Sequence, residues 1–313
     1  MESRVVVYSQ PLLALALSVL PLVVRGFGIW QILLGLLLAY SVYFFDSAQY
    51  EPGRRYHPRI YNWIRNADAR MLSGYFQKVS LTYEDFEAVE KQPQVIYSIQ
   101  PHGVMSYCPP MLFMNAPQKT CGLGASICFK FPIMREMYLW MGIIDAGRRT
   151  CMKALKEGYS LSIVLGGTKE QLIPYSPTHD TIVCKSRRGF IYLARDAGKI
   201  PIIPCYCFGE QIAYETSNFM LPFRQWLQHN LGMGLPLPKS WRPKHLKDFA
   251  LVVGKPIEWE EEDTVATMHA KYISAIHDLF YDNKSKYPEY EKRELVIELA
   301  ELVETDLCSS TCN

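Results

Sequence analysis

The sequence is short of the signatures that would classify it at once. It has no G-x-S-x-G turn, so the exposed serine of an α/β-hydrolase has no support. It has no G-x-x-x-x-G-K-[ST] loop, and the run Gly122-Leu-Gly124-Ala-Ser126 lacks the rest of a nucleotide fingerprint. Charge of one sign is also missing. The 33 Lys+Arg against 31 Asp+Glu leave a formal +2, which argues against an electrostatically driven nucleic-acid partner. None of the 9 cysteines stands in C-x-x-C spacing, and an odd count without a framework points to reduced thiols facing the cytosol. Cys205-Tyr-Cys207 would aim two sulfurs at one strand face, where packing explains them better than zinc, so no metal site is expected. There is no internal repeat and no low-complexity tract.

What the chain does have, first, is apolarity. Pro11 to Phe45 carries a single charge, Arg25. An arginine at a bilayer centre costs roughly 2.5 to 3.5 kcal/mol on insertion scales, so Arg25-Gly26 is expected at a surface between two membrane segments. The first is short against the roughly 20 apolar residues a span needs, and the second is long enough. Residues 1–50 are therefore predicted to form a transmembrane or re-entrant helical hairpin, with 51–313 as a cytosol-facing domain. A cleaved signal peptide fits poorly, since Leu20-Pro-Leu-Val-Val-Arg25 offers no small-x-small site. Polarity returns with Asp46, Glu51, Arg54, Arg55, His57 and Arg59. The helical pattern that follows, through Tyr61, Ile64, Met71, Leu72 and Phe76, suits a headgroup-level helix or a core helix equally.

Beyond it the period alternates. Strands are predicted at Val95–Ile99, Leu161–Leu165, Ile200–Phe208 and Phe249–Val253, and helices around Pro132–Trp140, Thr150–Glu157 and Arg188–Ala197, the last stopped by Gly198. This predicts an α/β fold, a mostly parallel sheet flanked by helices, whose ligands are handled at the carboxyl edge of the strands. From Met220 to Asp248 the pattern dissolves among prolines and tryptophans, an excursion against the membrane or the mouth of the site. Thr264–Phe280 and Glu289–Glu304 are predicted to close the chain as amphipathic helices.

The residues able to do chemistry gather at predicted strand ends. After the first strand, Gln100-Pro101-His102-Gly103 places an imidazole on a tight turn. After the second come Gly166-Gly167-Thr168-Lys169-Glu170, glycines that let backbone N–H groups approach a ligand beside an acid. After the third comes Phe208-Gly209-Glu210. Lys185, Arg187 and Arg188 form one basic cluster and Arg148-Arg149 another, and either could hold phosphates.

These blocks resemble, in order, those of the type-2 diacylglycerol acyltransferase family, which includes monoacylglycerol and wax-alcohol acyltransferases. Gln100-Pro-His-Gly103 resembles its His-Pro-His-Gly block, and Gly166-Gly-Thr-Lys-Glu-Gln-Leu172 its Gly-Gly-Ala-x-Glu-x-Leu block. Arg188-Gly-Phe190 resembles its Arg-Lys-Gly-Phe helix start, Pro204 with Phe208-Gly-Glu210 its Pro-x-x-x-Phe-Gly-Glu block, and Val252-Val-Gly-Lys-Pro-Ile257 its late strand. Pro132 to Arg148 also matches in order, and the similarity runs from about Tyr50 to Glu301. The departure is Gln100, which stands where the family has a first histidine; plant members carry glutamate there, so Pro-His is the shared element.

The resemblance implies a glycerolipid-acyltransferase-like fold and an acyl-CoA-dependent O-acyltransferase that esterifies a neutral lipid, diacylglycerol to triacylglycerol before monoacylglycerol or a long-chain alcohol. It puts His102 in the role of general base, with Glu170 as the candidate carboxylate partner. A His-x-x-x-x-Asp pair, which a lysophosphate acyltransferase would carry, is absent, because the fifth residue after His102 is Tyr107. Gly103, Gly166 and Gly167 are the candidates for oxyanion or turn positions, and Arg148, Lys185, Arg187 and Arg188 for the phosphates of CoA. Gln100, Pro101, Phe208, Gly209 and Glu210 support the turns. The expected partners are fatty acyl-CoA, a neutral acceptor and membrane lipids, with no cofactor, and homo-oligomerisation is compatible with all of it. The implied location is the endoplasmic reticulum membrane or lipid droplets. The rival of another class is a catalytically silent protein of lipid-droplet or membrane surfaces.

Overall fold

The computed structural model describes residues 28–298. The first expected membrane segment, ahead of Arg25, and the tail with Cys308 and Cys312 lie outside them. Helix α1 (Ile29–Phe44) is the second expected segment. At 16 residues it rises about 24 Å, against a hydrocarbon core of about 30 Å. Among the described residues no helix is long and apolar enough to cross a membrane. Ile29, Trp30, Leu33, Leu34, Leu37 and Leu38 are all exposed along it, Trp30 to 80%.

Past its end the polarity change closes a ring of four charges. Arg55 and Arg135 each bridge Asp46 (2.7 and 2.6 Å) and Glu136 (2.9 and 2.8 Å). Arg135 and Glu136 belong to α5 (Pro132–Met141), and Tyr40 of α1 donates to Glu136 and to the Pro132 carbonyl. Buried charges survive only when so paired. Between them runs α2 (Pro58–Tyr75), which buries Leu72 and leaves Trp63 and Met71 exposed.

The core is a seven-stranded sheet made of β1 (Phe76–Tyr83), β2 (Ile96–Gln100), β3 (Thr120–Gly124), β4 (Ile144–Asp145), β5 (Ser160–Val164), β7 (Ile202–Phe208) and β8 (Leu246–Val253). Their spatial order is β1-β8-β7-β2-β5-β3-β4, and only the β7–β8 pairing is antiparallel. The α/β expectation of a mostly parallel sheet between helices therefore holds. All five residues of β2 are buried, as befits a central parallel strand covered on both faces. The covering helices include α3 (Phe86–Glu90), α4 (Cys108–Phe113), α6 (Arg148–Lys156), the short α7 (Gly167–Glu170), α8 (Gly189–Asp196), α9 (Leu221–Leu231) and α10 (Val265–Lys284).

Two stretches take a different local structure from the one expected. The excursion between Met220 and Asp248 contains α9 and the start of β8, because the buried Arg224 donates to the carbonyls of Ser217, Phe219 and Leu235 and gives a proline-rich stretch a fixed shape. The expected helix from Glu289 is a 3₁₀ turn (Pro288–Tyr290) and a strand, β9 (Glu294–Glu298), parallel to β6 (His179–Val183). Val296 and Ile297 are β-branched and find a partner strand in β6. Arg293 pins that two-stranded sheet by donating to Asp180 (2.5 Å) and to the carbonyls of Ser176, Pro177 and His179, while Tyr206 of β7 donates to the same carboxylate (2.7 Å).

Candidate active site

Because β5, β2 and β7 are neighbours and parallel, the three loops that leave their carboxyl ends emerge side by side. Those loops carry the three blocks picked out above. His102 follows β2 on a turn in which Gly103 has φ +61°. A side chain at Gly103 would put its Cβ 2.6 Å from Glu210 Cγ and 2.8 Å from the Glu210 carbonyl, so the turn closes directly against the acid after β7. Gly166 does the same for Glu170, whose Oε2 would lie 2.1 Å from an added Cβ. The glycines of two blocks are thus the floor on which the two carboxylates rest.

Those carboxylates hold the His102 loop at both ends. The His102 N–H donates to Glu170 Oε2 (2.7 Å), and the Val183 N–H to Oε1 (3.0 Å). The N–H groups of Tyr107 and Cys108, where α4 begins, donate to the two oxygens of Glu210 (3.1 and 3.0 Å). Glu170, expected from the sequence to be the carboxylate partner of the His102 ring, accepts instead from the backbone N–H groups beneath it.

The ring's partner is Ser106, four residues on, which the sequence reading missed. Its hydroxyl donates to the His102 carbonyl (2.8 Å) and its Oγ lies 2.9 Å from Nδ1. The Gly103 carbonyl is also 2.9 Å from Nδ1, and since a carbonyl only accepts, Nδ1 carries the proton. Nε2 is left with its lone pair. The ring is half-buried, and burial pulls its pKa below the usual 6.5, only partly opposed by the hydrogen bonds to backbone carbonyls. A neutral imidazole with its basic nitrogen on Nε2 is the form a proton acceptor needs.

Glu170 behaves in the opposite sense. Burial pushes its carboxyl up to about 8, against the pull of the His102 and Val183 N–H groups. Gln100, fully buried, faces it. With the amide oxygen toward Glu170 the pair suits the protonated acid; turned over, the amide nitrogen lies 3.2 and 3.3 Å from the two oxygens and suits the carboxylate. An amide here serves either charge state of its neighbour.

The basic residues separate. Lys185, Arg187 and Arg188 precede the N-terminus of α8, and the Arg187 charge is felt by Glu170. Arg187 Nε is enclosed without an acceptor. Arg148 sits at the other end of α8, where it bridges Asp196. A small cavity beside the turn is lined by Gly103, Val104, Glu170, Gln171, Tyr175 and Tyr214, among others. Cys108, Cys207 and Glu210 bring ligand atoms within 4.8 Å of one another, but both Glu210 oxygens already accept backbone N–H groups and burial pushes both thiols up, so the trio fits packing better than a metal. Cys205 is equally buried, with its thiol near the Ile203 carbonyl.

The chain is similar to several known acyltransferases. Diacylglycerol O-acyltransferase 1 of Eremothecium gossypii is 29% identical over 234 residues, covering 66% of this chain and 50% of that protein. Its namesake in Saccharomyces cerevisiae is 31% identical over 180 residues, 51% of this chain and 42% of that one. Human acyl-CoA wax alcohol acyltransferase 2 is 29% identical over 191 residues, 54% and 56% respectively. The chain spans about half the length of each of these curated relatives. The family model for diacylglycerol acyltransferase matches residues 26–298, which contain the whole of the sheet and helices described above. The chain belongs to the diacylglycerol acyltransferase family.

Proposed function

We propose that this chain transfers the acyl group of a fatty acyl-CoA to the hydroxyl of a neutral lipid, diacylglycerol giving triacylglycerol. The observation that carries the reading is the His102 ring, half-buried at a strand edge, with Nδ1 spent on Gly103 and Ser106 and Nε2 3.3 Å from the Ser106 oxygen, whose proton goes to the His102 carbonyl and leaves the Nε2 lone pair free. Nε2 takes the proton as the acceptor oxygen attacks the thioester carbonyl; the tetrahedral oxyanion collapses to ester, and the CoA thiolate leaves with the proton returned by the imidazolium. A positioned base of this kind contributes about 10² to 10⁴ in rate. The approach of two bound substrates supplies more. The Gly103 turn, and the open space beside Gly167, are where backbone N–H groups would meet the oxyanion. Arg187, whose Nε lacks an acceptor, is the best placed of the basic residues for a CoA phosphate, with Lys185 and Arg188 beside it. Arg148 is the weakest, being paired with Asp196. The mechanism calls for no cofactor.

The exposed apolar face of α1 supports attachment to a lipid leaflet, and with it a membrane location such as the endoplasmic reticulum or a lipid droplet, with the carboxyl edge of the sheet on the cytosolic side. The wax alcohol relative keeps a long-chain alcohol in play as acceptor. Purified protein given labelled acyl-CoA and a panel of diacylglycerol, monoacylglycerol and long-chain alcohol decides between them. His102→Ala, still folded by circular dichroism, is expected to lose turnover by at least about a hundredfold; turnover equal to wild type removes the mechanism.

A further inference from the structure

From Thr216 to Lys247 the chain contains no aspartate or glutamate, while it carries Arg224, Lys239, Arg242, Lys244 and Lys247. The same stretch exposes Phe219, Phe223, Trp226, Leu231 and Trp241, with Trp241 at 77%. Soluble surfaces rarely gather so many large apolar side chains without covering them. This surface is also built rather than loose. Arg224, buried beneath it, spends its guanidinium on three carbonyls of its own loop, and Phe223 and Trp226 lie parallel with centroids 6.1 Å apart.

The charges sort themselves around that face. Lys239 and Lys244 both lean on Glu215, just outside the stretch, at 3.5 and 2.8 Å. Arg242 lies over the Trp241 ring at 4.3 Å and makes no ion pair among the described residues. Rigid aromatic rings beside Arg242, a cation without an acidic partner among the described residues, in a stretch with no acid of its own, match the chemistry of a headgroup layer, apolar below and anionic above.

We infer that the α9 excursion, Phe219 to Arg242, is a second seat on an anionic lipid leaflet, separate from the apolar face of α1. Its position gives the seat a use. Gln228 of α9 donates to Thr168 (3.2 Å), an added Cβ at Gly234 would strike Gln171, and Gln171 donates to the Val104 carbonyl (2.8 Å). Two residues along from Val104 in the chain lies His102. A leaflet held against α9 therefore lies beside the turn that carries the imidazole; this use, though not the seat, rests on the acyltransferase reading.

The test needs no turnover. Hydrogen exchange of peptides within 217–242 is followed in full-length protein reconstituted in phosphatidylcholine nanodiscs with and without phosphatidylserine, and in detergent at two protein concentrations. The expected result is exchange slowed on the order of tenfold in nanodiscs, further slowed by phosphatidylserine, and independent of protein concentration. Phe223→Ser/Trp226→Ser/Trp241→Ser, all at exposed positions, should restore fast exchange there while leaving the α10 and β2 peptides as protected as in wild type. Exchange in 217–242 that is indifferent to lipid overturns the inference. Slowing in detergent that grows with protein concentration also overturns it, and assigns the face to a second copy of the chain.

Discussion

Ser106 is the residue whose role is most specific. It holds a left-handed backbone, φ +54°, at a cost of about 1 kcal/mol for a residue with a side chain. That cost is repaid by a hydroxyl that spans the His102 carbonyl and Nδ1. Ser106→Gly should therefore leave the fold as stable as before or more so, and lower kcat by about tenfold through a loosened ring; equal kcat would reduce Ser106 to a turn residue. The pH profile of kcat/KM carries the same information. A base whose pKa burial lowers must give a rate that rises with pH and levels off with a midpoint below 6.5. A midpoint at or above 6.5 contradicts the half-buried, Nδ1-protonated ring. His102 was legible in the sequence because a Pro-His-Gly break after an apolar run marks a strand end. Ser106 was not, since a serine four residues on acquires meaning only when a turn folds it back.

At the scale of elements, legibility followed burial. β2, β5, β7 and β8 announce themselves as apolar runs, because central parallel strands are covered on both faces. β6 and β9 do not: His179-Asp-Thr-Ile-Val183 begins with three polar residues, and Glu294-Leu-Val-Ile-Glu298 sits in a stretch whose apolar spacing also suits a helix. What decides is tertiary, the Arg293–Asp180 pair and the ladder it supports. Breaking one side of a buried ion pair leaves the other charge stranded, so Arg293→Met is expected to cost about 3 to 5 kcal/mol. Asp180→Asn in the same chain should then add less than it costs alone. Urea midpoints of the two single variants and the double variant measure this, and strictly additive losses would deny the coupling.

For the whole molecule, Glu170 links stability to pH. Its folded value, about 8, stands above the ordinary 4.5, so the folded state binds that proton more tightly than the unfolded one. The resulting stabilisation is complete below 4.5 and is lost as pH rises toward 8. His102 runs the other way, its contribution present above 6.5 and lost as pH falls through its lowered value. The melting temperature of the wild type should therefore decline between pH 6.5 and 8, and that of Glu170→Gln should be flat there whatever its mean. An equal slope in both would show that the acid is ionised throughout.

The ring of Asp46, Arg55, Arg135 and Glu136 bears on how the molecule would move as a body. It ties the root of α1 to α5 through four salt bridges, and Tyr40 adds a tie from within the helix. The apolar helix is thereby a fixed mast rather than a tether. Whatever angle its surroundings impose on it is handed on through α5 to β4 and the sheet, so the aim of the sheet's carboxyl edge is set at the mast's foot.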